Sequence, residues 1–131
     1  MLKAKTAMKK IEAIIRREKF PAVDAALKQL GVSGLTVEEV AGRGRSRETM
    51  TVLAKGKWTY EEEYIKRLKL EILVKDSDAQ GVINAIMANA STTESSGDGK
   101  IFVSSVDEVL DIGSKAVDEN AVAFATTPRQ N

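Results

Sequence analysis

Residues 67–74 constrain the fold more than any other stretch. Leu68, Leu70, Ile72 and Val74 alternate with Arg67, Lys69 and Glu71. Side chains on a β-strand point to opposite faces with a period of two, so this run predicts a strand with one apolar and one polar face. Leu73 breaks the polar side, so part of that face is expected to be covered. One strand cannot bury its own apolar face. The rest of the chain must supply a sheet and a layer to pack on it.

It does so in order. Residues 10–16 alternate too, with Ile11, Ala13 and Ile15 against Lys10, Glu12 and Arg16, and Ile14 as the exception. Phe20, Val23, Leu27 and Leu30 fall at helical spacing, with Pro21 suited to the first turn and Gly31 to a left-handed exit. The spacing predicts a helix over 20–30. Residues 34–40 read as a second strand, with Leu35, Val37 and Glu39 on one face and Thr36, Glu38 and Val40 on the other. Ser77 and Gln80 form a capping-box pattern, and Ala79, Val82, Ile83, Ile86, Met87 and Ala90 follow as a helical stripe. Residues 101–106 read as the fourth strand and 107–111 as a helical turn. The tail from Ser114 onward is small and polar and is expected to fray.

The order is β-α-β-β-α-β over a single domain. It predicts an α+β, ferredoxin-like sandwich: a four-stranded antiparallel sheet with two helices on one face. The other face carries Ile14, Val40, Leu73, Phe102 and Val106, which argues for cover by further copies in cyclic symmetry.

Composition removes several function classes. The 131 residues include no cysteine and no histidine, which excludes disulfides, thiolate chemistry, imidazole acid/base catalysis and ordinary zinc or copper sites. Net charge is +1 and aromatics are 5%, so neither a global field nor a stacking surface points to nucleic acid. No apolar run approaches the roughly 20 residues of a membrane span, and the basic start lacks a signal peptide's apolar block. A cytoplasmic protein with no direct membrane insertion is expected. An enzyme is not: Asp98 and Lys100, two apart in a turn, are poor grounds for a hydrolase, and no catalytic residue or metal site is assigned.

Two glycine-rich stretches carry the functional signal. Gly97-Asp98-Gly99-Lys100 runs straight into Ile101-Phe102-Val103. Glycine lets backbone N–H groups approach a ligand, and turned N–H groups beside an ammonium make an anion-binding concavity. Gly42-Arg43-Gly44-Arg45 is a second such turn at the end of a strand. Residues 46–65 have no core pattern; from Arg43 to Lys57 the charges are mostly basic, and Glu61, Glu62 and Glu63 follow. A stretch of about 20 residues without structure of its own is often functional in a compact domain.

These motifs, in this order, resemble the PII signal-transduction family. Met8-Lys9-Lys10-Ile11-Glu12-Ala13-Ile14-Ile15-Arg16 is similar to the family's opening strand. Gly34-Leu35-Thr36-Val37-x-x-Val40-x-Gly42-x-Gly44-Arg45 is similar to its second strand and the base of its T-loop. Lys69-Leu70-Glu71-Ile72 matches the strand after that loop, and Gly97-Asp98-Gly99-Lys100-Ile101-Phe102-Val103 its B-loop and last strand. The resemblance spans roughly residues 8–110. It divides the domain into an extension at 1–7, a T-loop at 43–66, a B-loop at 91–100 and a C-terminal segment at 107–131.

The resemblance implies a homotrimer that binds ATP or ADP as regulatory ligands in clefts between subunits, with Mg possible beside ATP and no prosthetic group. It implies a T-loop that docks on a transporter or metabolic enzyme. Thr36 would face the adenine with Gly34 and Leu35 beside it, and Glu71 and Leu73 would contact the nucleoside. Gly42, Arg43, Gly44, Arg45 and Ser46, with Gly97, Asp98, Gly99 and Lys100, would hold the phosphates. Lys55, Lys57, Trp58 and Tyr60 are the expected docking tip, Trp58 being the kind of residue that anchors an interface.

Several positions depart from the family. Asp111 and Gly113 stand where an Arg-x-Arg pair grips phosphates from the neighbouring subunit, so Lys100 is left to carry more of the phosphate charge. Ser46 replaces a glutamine that helps hold Mg–ATP and 2-oxoglutarate, and Arg67 replaces the lysine that pairs with 2-oxoglutarate. The chain therefore reads as a divergent member that has lost 2-oxoglutarate sensing. The alternative is a sensor of AMP or another anionic metabolite.

Overall fold

The structure, a computed structural model, describes residues 7–43, 64–94 and 97–122. The chain forms β1 (Met8–Ile15), α1 (Phe20–Gln29), β2 (Thr36–Gly42), β3 (Ile65–Lys75), α2 (Asp76–Ala90) and β4 (Gly99–Val106), with short 3-10 turns at Arg17–Lys19 and Asp118–Ala121. The strands make one antiparallel sheet in the order β2-β3-β1-β4. This is the ferredoxin-like arrangement expected from the pattern.

Period two sorts the sheet. Ile11, Ala13 and Ile15 of β1 and Leu70, Ile72 and Val74 of β3 are buried, and they meet Val23 and Leu27 of α1 and Ala79, Val82, Ile86 and Ala90 of α2. Burying an aliphatic side chain of this size contributes about 1.5–3 kcal/mol, so this layer dominates stability. Gly31 closes α1 at φ 89°, the left-handed exit that its position predicts.

The opposite face carries cross-strand ion pairs, Lys69 Nζ to Glu12 Oε2 at 3.2 Å and Lys10 Nζ to Glu71 Oε2 at 3.8 Å. Exposed pairs of this kind contribute about 0–1 kcal/mol each. The same face holds half-buried Ile14, Val40, Leu73 and Val106, and Phe102 at 50% exposure.

Three local expectations are corrected. The Ser77–Gln80 capping box does not form: α2 starts at Asp76, Lys75 is its N-cap, and the Gln80 amide donates to Asn84. Asp76 and Asp78 lie in that first turn instead, where carboxylates complement the helix dipole. Residues 107–111 are not a helical turn. Leu110 bridges Val117, the Asp111 N–H donates to the Ala116 carbonyl at 2.9 Å, and the Asp111 carboxylate accepts from the Ser114 N–H at 2.9 Å. A short acidic side chain bonding nearby backbone competes with helix in just this way. Finally, β3 begins at Ile65 and β4 at Gly99, so the strands take residues from both ends of the expected loops.

Candidate functional site

The register gathers the site at one end of the sheet. Ile15, the last residue of β1, pairs with Leu68 and with Gly99, and Gly42, the last of β2, pairs with Ile65. The ends of β1 and β2 therefore lie beside the starts of β3 and β4. The connection between β2 and β3 leaves and returns here. Because β2 and β4 are the outer strands, Gly42 and Gly99 sit at opposite edges, three strand spacings or about 14 Å apart.

The turn before β4 is built in detail. Gly97 has φ 79° and Gly99 φ 121°, both in the region that favours glycine. A Cβ on Gly99 would lie 1.8 Å from the Ile14 carbonyl oxygen. Asp98 points inward. Its carboxylate accepts from the Thr92 N–H at 2.7 Å, from the Thr92 hydroxyl at 2.5 Å and from Arg16 Nε at 3.1 Å. Arg16 is buried, its side chain 4% exposed, and its Nη2 lies 3.6 Å from Glu94 Oε2. Arg67, also buried, donates from Nη2 to the Gly97 carbonyl at 3.4 Å and from Nη1 to the Lys66 carbonyl at 3.2 Å. Burial first, and then the Arg16 charge, pull the Arg67 pKa down from its ordinary value, while Glu18 and Asp98 act the other way. Lys100 follows, exposed, in register with Ile14.

Bonds from the Thr92 hydroxyl and then the Thr92 N–H hold the Asp98 carboxyl below its ordinary pKa, with burial opposing and Arg16 assisting. A carboxylate whose pKa is depressed by folding stabilises the folded state above its unfolded pKa, and this stabilisation is lost as pH falls through the folded value. For Asp98 the loss is confined to acid below the ordinary 3.8. Asp98→Asn is therefore expected to flatten the dependence of melting temperature on pH below the ordinary 3.8, while lowering stability at neutral pH. A thermal-melt series across that range checks it; an acid limb as steep as that of the parent would show that Asp98 is not its source.

Two cavities flank this end. One of about 540 Å³ lies between the end of α2 and the start of β4, lined by Met87, Ala90, Lys100 and Ile101 among others. The other, about 500 Å³, lies on the ion-paired face and is lined by Val40, Gly42, Arg67, Lys69 and Glu12. Ile14 and Phe102 wall both.

The expected site residues fall into two groups. Gly42, Arg43, Gly97, Asp98, Gly99 and Lys100 share the sheet end just described. Thr36 pairs with Glu71 at the far end of β2, with Gly34 and Leu35 leading in and Leu73 two residues along β3. Six residue steps separate Thr36 from Gly42, about 20 Å of extended strand. Leu35 packs against the core, and Glu71 is paired to Lys10. Gly42 is the last strand residue rather than part of a turn, and a Cβ there would meet nothing within 4 Å. Gly44, Arg45, Ser46, Lys55, Lys57, Trp58 and Tyr60 lie outside the described residues.

Alternation assigned Arg16 and Arg67 to a polar face, and both are buried at the glycine turn. The signal that could have found them is their place at strand ends, since a charge buried where a ladder stops must meet loop groups. Thr92 escaped because nothing local marks it.

The Asp111 pKa is likewise lowered, chiefly by the Ser114 N–H and then its hydroxyl. Among the described residues no helix is long and apolar enough to cross a membrane.

The family model for nitrogen regulatory protein P-II matches residues 8–115. The chain is 45% identical over 105 residues to a nitrogen regulatory protein P-II of Rhizobium meliloti, covering 80% of this chain and 91% of that one. It is 44% identical over 115 residues to nitrogen regulatory protein P-II 2 of Methanothermobacter thermautotrophicus, covering 84% and 97%. Its fold is similar to the crystal structure of Arabidopsis thaliana PII bound to citrate, with a TM-score of 0.71 at 32% identity, covering 89% and 94%.

Proposed function

Since the chain belongs to the nitrogen regulatory protein P-II family, we propose that it is a signalling regulator, not an enzyme, that binds ATP or ADP between the subunits of a homotrimer. Occupancy of that cleft controls a target transporter or metabolic enzyme through residues 43–66. The observation that carries this reading is the turn at 97–100. Its one carboxylate is drawn inward, Gly99 is held close to the Ile14 backbone, and Lys100 is left exposed beside it. That arrangement suits an anion held by backbone N–H groups and an ammonium.

The separation of the two residue groups supports a site shared between copies. Thr36 and Glu71 sit about 20 Å from Gly42 along one chain. A second copy that brings its own Thr36 end against the glycine turn completes a cleft for base and phosphates together. Ligand bound there biases the connection that leaves from Gly42 between docked and free forms. Mg would accompany ATP at the same phosphate end.

A second reading rests on Asp111. It is held ionised by its own turn and stands where family members present an arginine, which disfavours a triphosphate and favours AMP or another anionic metabolite. The Arabidopsis relative, bound to citrate, shows a PII protein holding an anion without a base. Calorimetric titration with ATP, ADP, AMP and 2-oxoglutarate decides. Binding of ATP or ADP is expected, without 2-oxoglutarate binding, and no response to any adenine nucleotide overturns the leading reading. Capture of a target with and without nucleotide, repeated after deleting residues 50–62, tests the docking role.

The same titration checks a gain of function. Asp111→Arg with Gly113→Arg replaces a repulsive charge by two donors. Charge-assisted bonds contribute about 1.5–3 kcal/mol each, so ATP affinity is expected to rise at least about tenfold, with AMP much less affected.

A further inference from the structure

Asp98 places a full negative charge inside the turn that is read above as the phosphate site. A carboxylate facing a phosphate would repel it. The structure removes that conflict. Asp98 is turned away, bound by Thr92 at two atoms and by Arg16, and the Arg16 guanidinium is buried behind the turn with Glu94 on its other side. Arg67 holds the neighbouring Gly97 carbonyl, a second acceptor of the turn, on the same side.

We propose that Arg16 is a positioning residue for phosphate recognition: by binding the Asp98 carboxylate from behind, it fixes the 97–100 turn and makes an acid-bearing loop receptive to phosphate. The proposal rests on the nucleotide reading of this site. Arg16 itself touches no ligand. It acts through the position and neutralisation of Asp98, whose carboxylate its Nε binds at 3.1 Å.

The role separates from simple stabilisation by comparing ligands with and without phosphate. ADP, adenosine and inorganic tripolyphosphate are titrated into the full-length parent, Arg16→Gln, Arg16→Lys and the Arg16→Gln/Asp98→Asn double variant. In Arg16→Gln the carboxylate is released, and ADP and tripolyphosphate affinities are expected to fall at least about tenfold while adenosine changes by less than about twofold. The double variant removes the released charge and is expected to regain most of the loss for the phosphate ligands, a coupling that two independent packing defects would not show. Should Arg16→Gln fail to fold, Arg16→Lys keeps the charge but loses the Nε geometry, and a smaller loss confined to the phosphate ligands is expected. Equal losses for ADP and adenosine, or absence of rescue, overturn the positioning role and leave the nucleotide reading standing. A parent protein that binds neither ADP nor tripolyphosphate overturns both.

Discussion

Gly99→Ala is expected to destabilise the protein by at least about 3 kcal/mol, lowering the melting temperature by about 10 °C. Two effects add. At φ 121° an alanine is strained whatever the space around it. Its Cβ would also fall 1.8 Å from the Ile14 carbonyl oxygen and 2.9 Å from the Ile14 carbonyl carbon, both main-chain atoms of an inner strand. A flexible side chain could swing aside; a backbone carbonyl can move only if β1 and β4 part. Gly81→Ala is the matching control. That glycine lies in α2 with nothing within 4 Å of an added Cβ, so alanine is expected to stabilise by about 0.5–1 kcal/mol through helix propensity. Thermal melts of both variants at equal protein concentration check the pair. A Gly99→Ala protein as stable as the parent would mean that β4 does not approach Ile14 as described.

Lys100→Ala is expected to take nucleotide binding out of the range that calorimetry reads, with little change in melting temperature. Lys100 is exposed at the start of β4, so its removal disturbs no packing. An ammonium bonded to phosphate contributes about 1.5–3 kcal/mol, a factor of about ten to a hundred in Kd. Under the proposed arrangement Asp111 and Gly113 stand where relatives offer arginines, so Lys100 is expected to carry a larger share of the phosphate charge. Lys100→Arg keeps the charge and is expected to retain binding. Unaltered ADP affinity in Lys100→Ala would place the ligand elsewhere.

The fold was legible because alternation and helical spacing are properties of local sequence. Residues 67–74 announced β3, and Phe20, Val23 and Leu27 announced α1. Strand order and register were less so, and they decide which residues meet. Asp98 was read as a phosphate contact because its flanking glycines are local. Its binding to Arg16 joins residues 82 positions apart, and no pattern within either segment reports that. The capping box failed for a related reason. Ser77 and Gln80 fit the motif, but the helix start is set by where β3 ends and by Asp76, whose N–H donates to the Ala7 carbonyl. Charge alternation misled at Arg16 and Arg67, since a polar strand position at the end of a ladder can be covered by a turn from elsewhere in the chain.

Contacts between residues 14–16 and 97–99 also set when in the life of the chain the site first exists. Closing a loop that long is slow relative to forming either helix. The turn can take its shape only after β4 has docked on β1, the pairing that joins the first strand to the last. A nascent chain that has made both helices and three strands has all of its early hydrophobic layer but no site. A ligand held at the proposed site would therefore report a completed subunit.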